Sequence, residues 1–382
     1  MSPSGLVVVG NPEGRRVALF QAAVRAAGLA PARVLAWRDV LRGQLVLHPG
    51  ETVRIDSPGE DPAVERLLRG VRDTTRVEGS ALWYERFTTA VEAVADAARA
   101  AGATLLNRPE DVAVLFDKRR CHAALERAGV PVPPSPTSGP HAPPVRGWDD
   151  VRALLARPGL RRAFVKPAHG SSASGVLAVE TSAGGRVRAT TSVERAAGGH
   201  LHNSLAVRRY EDEGEIAAIV DALAPDGLHI ERWLPKPTLY GRSVDLRVVV
   251  VAGRATHAVV RAGRGPLTNL HLGGRRGELR DAVDAVHAAG GRWADVLAVC
   301  ERAADAFPGT HCVGVDLLPS AHWRKFAVGE VNAFGDLLPG LTGLPDGPAA
   351  GLDTYAAQVA TLHPAPPEHP EHHRNHRARD TA

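Results

Sequence analysis

Hydrophobic and polar positions divide the chain into stretches of different period. In "GLVVVGNPEGRRVALFQAAVRAAGL" (5–29) an apolar run gives way to a glycine-containing turn. Val17, Phe20, Val24 and Ala27 then follow at the spacings of one helical face. "RVLAW" (33–37) reads as the next strand. Strand, helix and strand in this order predict a parallel α/β layer. The turn "GNPEGR" is not GxGxxG, so its glycines are read as serving the turn itself. "WYERFTTAVEAVADAARAAG" (83–102) predicts a helix stopped by glycine, and "TLLN" (104–107) a short strand. Trp83 and Tyr84 at its start are read as packing residues.

The pattern changes near "NRPED" (107–111), which places a domain boundary between 107 and 108. A helix over "DKRRCHAALERAG" (117–129) leads into the proline-rich "VPVPPSPTSGPHAPP" (130–144). From residue 160 the periods become strand-like. "LRRAFVKPAHGSSASGVLAVE", "GLHIERWL", "VDLRVVVVAG", "RATHAVVRAG", "HCVGVDLLP" and "RKFAVGEVN" are short apolar runs bounded by turn residues. They predict antiparallel strands packed under helices such as "WADVLAVCERAADAF" (293–307). The expected fold class is therefore α/β followed by α+β. Residues 181–215 fit no period and are read as an insertion over the site. "IDSPGEDPAVERLLRG" (55–70) reads either as strand and helix or as a lining of the substrate side.

Two stretches carry candidate chemistry. In "AVGEVNAFG" (327–335), Glu330 and Asn332 lie two apart and share one side of a strand. Asp316 sits in a similar run upstream, so three hard oxygen donors could meet a small cation or simply face water. In "FVKPAHGSSASGV", Lys166 precedes a loop of small residues. Such a loop turns backbone N–H groups toward an anion, or else makes a plain hairpin. No Walker signature is present.

Composition narrows the classes. The length of 382 residues exceeds one ordinary core, which implies two or three domains. The formal charge is +4, and only four of the 46 basic residues are lysines: Lys118, Lys166, Lys236 and Lys325. The arginines are scattered, not striped with aromatics, which argues against a nucleic-acid partner. Cys121, Cys300 and Cys312 show no paired spacing, as in a reducing cytosol. No apolar run approaches the roughly 18 residues of a membrane span. The opening residues lack a signal-peptide pattern, so a cytoplasmic location is expected. The His-rich end (363–382) reads as a disordered tail.

Taken in order, Lys118, Lys166 with "HGSSASG", "IERWL", "DLR", "TNLHLGG", "GVD" and "EVN" resemble the ATP-grasp superfamily of carboxylate–amine ligases. Within it, the likeness is greatest to the glutathione-synthetase-like group, which includes the ligases that add glutamate to a ribosomal protein. The resemblance runs from about residue 108 to about 345. It implies a Rossmann-like pre-grasp domain (1–107), two grasp lobes (108–230 and 231–360) and a tail (361–382).

The resemblance also implies roles. Lys118 and Lys166 match the lysines that contact nucleotide phosphates. His169, Gly170, Ser171, Ser172, Ser174 and Gly175 match the glycine-rich lid above them. Glu231, Arg232, Trp233 and Leu234 match the hinge that reads the adenine edge. Asn269 matches a metal or phosphate contact. Asp316, Glu330 and Asn332 match the ligands of Mg²⁺, or Mn²⁺. Arg247 and Arg261 would stabilise the γ-phosphate and the tetrahedral intermediate.

The implied reaction joins a carboxylate to an amine or thiol through an acylphosphate, consuming ATP. Its substrates would be small molecules, or a peptide or protein acceptor. The alternatives are a small-molecule kinase and a nucleotide-binding module without chemistry. After Glu-x-Asn the chain reads "AFGDLLPGL" where this group often has a Pro-Gly turn, which leaves the acceptor open.

Overall fold

The computed structural model describes residues 5–139, 141–170, 174–335 and 338–362. Ser171, Ser172 and the His-rich end lie outside the described residues.

Four strands make an all-parallel first sheet: β1 (Leu6–Gly10), β2 (Arg33–Ala36), β3 (Thr52–Ile55) and β4 (Thr104–Leu105), in the order β2-β1-β3-β4. Every residue of β1 is buried, as a parallel strand covered on both faces requires. Val7 and Val9 face a core with Trp37, Val53, Phe87 and Val91. Leu6 and Val8 face the helix Arg15–Ala26 through Val17, Phe20, Ala23 and Val24. The fourth position of that apolar face is therefore Ala23. Ala27, expected there from its spacing, is exposed because the helix has already ended. The last helix, Thr354–Leu362, returns to the same layer, where Tyr355 and Val359 pack on Val17 and Phe20.

The second sheet is antiparallel: β5 (Arg162–Pro167), β6 (Leu177–Thr181), β7 (Val187–Arg195), β8 (Leu201–Tyr210) and β9 (Leu228–Arg232), in the order β8-β7-β6-β5-β9. β9 carries residues on both sides of the boundary expected at 230/231. Most of residues 181–215 belong to this sheet, as the β7–β8 hairpin. Thr191 pairs Arg208 and Val193 pairs Asn203, so Ser204, Leu205, Ala206 and Val207 bulge out opposite Ser192. A strand broken in this way has no clean two-residue period.

The third sheet holds β10 (Thr238–Leu239), β11 (Arg242–Val251), β12 (Arg254–Gly263), β13 (Arg275–Gly277), β14 (Cys312–Pro319) and β15 (Phe326–Asn332). Its order is β13-β12-β11-β14-β15, with β10 on the edge of β11. Ala252 and Gly253 join β11 to β12 with φ of 48° and 77°. Positive φ at both positions of a two-residue loop is what the twist of a tight hairpin demands. Val244, Leu246, Val248 and Val250 pack under the helix Trp293–Asp305 through Val296, Cys300 and Ala303. The two-residue period of β11 then turns Asp245 and Arg247 to the opposite face. Among the described residues, no helix is long and apolar enough to cross a membrane.

Candidate active site

The polar face of the third sheet meets the second sheet across an open cleft of about 790 Å³. Lys118, Lys166, Gly170, Ser174, Glu231, Arg232, Leu234, Arg261, Asn269, Asp316 and Glu330 line it. Apolar contacts come from Phe164, Val176, Leu267 and Leu318.

Lys118 opens the helix Lys118–Arg127, whose N-cap Asp117 accepts from the backbone of Arg119 and Arg120. Fixed there, Lys118 Nζ donates to the Gly170 carbonyl (2.7 Å) and lies 3.0 Å from Glu330 Oε1. Lys166, next to last in β5, is opposite His229 of β9, and Glu231 is opposite Phe164. Lys166 Nζ sits 2.6 Å from Glu231 Oε1, and His229 Nε2 3.3 Å from Glu231 Oε2. Burial works to raise the Glu231 pKa. The Lys166 charge and the His229 bond overcome it and hold the carboxyl at about 2. Burial likewise disfavours the Lys166 cation, yet Glu231 and Glu330 raise its pKa overall. Burial lowers the His229 pKa against the pull of Glu231, so the ring stays neutral near pH 7.

Strand register assembles the acidic centre. Asp316 on β14 is directly opposite Glu330 on β15, with a bulge at Gly329 beside them. Arg247 on β11 is opposite Asp316, and Arg261 on β12 is opposite Asp245. Asp316 Oδ1 accepts from Arg247 Nε (2.5 Å) and Arg261 Nη1 (3.0 Å), and Oδ2 from Arg247 Nη2 (3.2 Å). Burial tends to raise the Glu330 pKa, but Lys118, Lys166 and Arg247 bring it below the usual carboxylate value.

Three residues of the site, Asp245, Lys236 and Thr268, escape a sequence reading. Asp245 is only 2% exposed. It binds Arg261 Nε (2.7 Å), Lys236 Nζ (2.7 Å) and the Thr268 hydroxyl. Lys236 also donates to Thr268 Oγ1 (2.9 Å) and to the Pro266 carbonyl (3.2 Å). The lysine scarcity that singled out Lys118 and Lys166 could also have found Lys236: three of the four lysines line this cleft. With Arg232, six cationic side chains thus accompany four carboxylates, a balance that suits a ligand bearing more negative than positive charge.

Five of the described sequence candidates stand outside the lining. His169 is buried and stacks on Tyr84 with ring centroids 4.0 Å apart, so both act as packing. Gly175 has φ +73°, and a Cβ there would lie 2.6 Å from Pro167 Cγ, so its role is steric. Trp233 packs outside the cleft beneath the Arg162 guanidinium, 3.8 Å from its ring centre. Asn332 donates its amide to the Gly314 carbonyl at 3.1 Å. Arg247 lies behind the lining, bonded to Asp316.

Asp316 and Glu330 offer adjacent oxygen donors on an open face. Among the described residues, no three His, Cys, Asp or Glu side chains gather to enclose an ion. Two carboxylates with room for phosphate oxygens fit Mg²⁺, which is seldom caged by protein alone. Cys121 is nearby, where burial and the Glu330 charge push its thiol pKa to about 12; a soft thiol is in any case a poor match for Mg²⁺.

No family profile and no curated protein matches this sequence. Solved structures do. The ATP-grasp ligase PsnB complexed with a minimal precursor is 19% identical, with a TM-score of 0.52 over 94% of this chain and 98% of that one. PsnB complexed with a phosphomimetic variant of its minimal precursor, Mg and ADP is 18% identical, with a TM-score of 0.52 over 94% and 96%. The chain has the ATP-grasp fold.

Proposed function

We propose that this ATP-grasp chain is an ATP- and Mg²⁺-dependent ligase that joins a carboxylate to an amine or thiol through an acylphosphate, releasing ADP and phosphate. One observation carries the reading: Lys118, Lys166, Arg247 and Arg261 converge on Asp316 and Glu330 at the wall of a single cleft. Transfer of a phosphoryl group needs positioning and charge neutralisation more than covalent help. This cluster supplies both.

In this reading residues 1–107 form the pre-grasp domain, and residues 108–230 and 231–360 the two lobes. Lys118 and Lys166 hold the nucleotide phosphates, and the backbone of residues 231–234 borders the base beside Phe164, Val176 and Leu318. Asp316 and Glu330, with Asn332 behind them, hold the metal, which when bound neutralises phosphate charge. Arg247 and Arg261, bonded to Asp316, would stabilise the γ-phosphate and the oxygen of the tetrahedral intermediate. PsnB is complexed with a minimal precursor, so peptide acceptors join small molecules among those to test.

The test is incubation with Mg-ATP and candidate carboxylates, amines and peptides. ADP, phosphate and product mass are followed, with Lys166→Ala and Glu330→Ala as controls. ADP and a condensed product in equal amounts support the ligase. A stable phosphorylated product makes it a kinase. Nucleotide binding without turnover across all acceptors makes it a binding module.

A further inference from the structure

Asp316 enters this structure as the partner of two guanidinium groups, and a metal ion would have to take it from both. The two arginines are differently placed for that exchange. Arg261 holds a second carboxylate through another nitrogen: Nε is 2.7 Å from Asp245 Oδ1 while Nη1 reaches Asp316. Arg261 is 7% exposed and Asp245 2%, so neither can turn to water for compensation.

We propose that Asp245 is a positioning residue that retains Arg261 when the cation claims Asp316, lowering the Mg²⁺ concentration at which the site fills. The proposal rests on the nucleotide and metal reading above. With Asp245 in place, Arg261 can release Asp316 and keep an anionic partner. Without it, Asp316 is the nearest carboxylate left to a buried guanidinium, which then competes with the metal for those oxygens. Lys236 and Thr268 complete the anchor. The three N–H donors of Lys236 meet Asp245, Thr268 and the Pro266 carbonyl, so the Asp245 carboxylate cannot rotate away from Arg261 without breaking these bonds.

The experiment titrates Mg²⁺ against a fixed concentration of a fluorescent ADP analogue, reading bound nucleotide rather than turnover. Asp245→Asn should raise the half-saturating Mg²⁺ concentration about tenfold or more, while affinity at saturating Mg²⁺ changes far less. Asp245→Asn leaves Lys236 without its carboxylate partner and is at risk of misfolding. The double variant Asp245→Asn with Lys236→Met restores the charge balance, and it should show the same raised requirement. A wild-type requirement in the folded double variant overturns the proposal. So does a loss of affinity that saturating Mg²⁺ does not relieve. A wild-type protein that binds the analogue equally with and without Mg²⁺ overturns the metal reading itself, and the proposal with it.

Discussion

Lys166 and Glu231 form an ion pair between neighbouring strands β5 and β9, with Nζ 2.6 Å from Oε1 and both side chains largely withdrawn from water. A carboxyl held at about 2 in the fold, against an ordinary 4.5, favours the folded state wherever it is ionised. That contribution is complete above pH 4.5 and is lost as the pH falls toward 2. It amounts to roughly 3 kcal/mol at 1.4 kcal/mol per pH unit. Urea denaturation midpoints should therefore fall through this window, and Glu231→Gln should flatten the fall.

His229 acts at higher pH and in the same direction. Burial holds its pKa below 6.5, so unfolded chains take up a proton that folded ones refuse. Stability from the neutral ring is full above pH 6.5 and declines as the pH falls through the folded value. His229→Gln should show a shallower decline than wild type between pH 6.5 and 5. An unchanged slope would place the effect in His169, His257 and His311, whose pKa values burial also lowers.

Lys166→Ala should reduce ATP-dependent turnover by about a hundredfold or more, as loss of a transition-state electrostatic contact does. It also strands a buried carboxylate, at about 3–5 kcal/mol. Lys166→Met combined with Glu231→Gln removes both charges, so thermal stability should recover while turnover stays absent. Recovery of both together would remove Lys166 from the phosphate site.

Gly274 sets the path of the segment that carries Thr268 and Asn269. A Cβ at this position would lie 2.5 Å from the Thr268 carbonyl oxygen and 2.7 Å from that of Asn269. Both contacts are backbone, so relief requires the loop to move. Gly274→Ala should cost about 1–3 kcal/mol and weaken nucleotide binding about tenfold. Gly265→Ala meets open space in the same loop and is the matched control. Equal affinities for the two variants would separate this loop from the nucleotide.

The strands that build the cleft were legible because their apolar runs are short and bounded, and "GVD" and "EVN" mark their polar ends. Register was not legible. That Asp316 faces Glu330 and Arg247, while Arg261 faces Asp245, follows from pairing across hairpins and from the Gly329 bulge. The Lys236–Asp245–Thr268 cluster joins three segments 9 and 23 residues from Asp245, and no local period connects them. Residues 181–215 defeated periodic reading because β8 carries four residues against one on β7.

The return of the last helix to the first sheet orders events during synthesis. Tyr355 and Val359 cover a face of the first layer that Leu6, Val8 and Phe20 begin. A ribosome adding about 5–20 residues each second separates these partners by at least fifteen seconds. Through that interval this apolar surface is left without its cover, and a nascent-chain binder has the opportunity to occupy it.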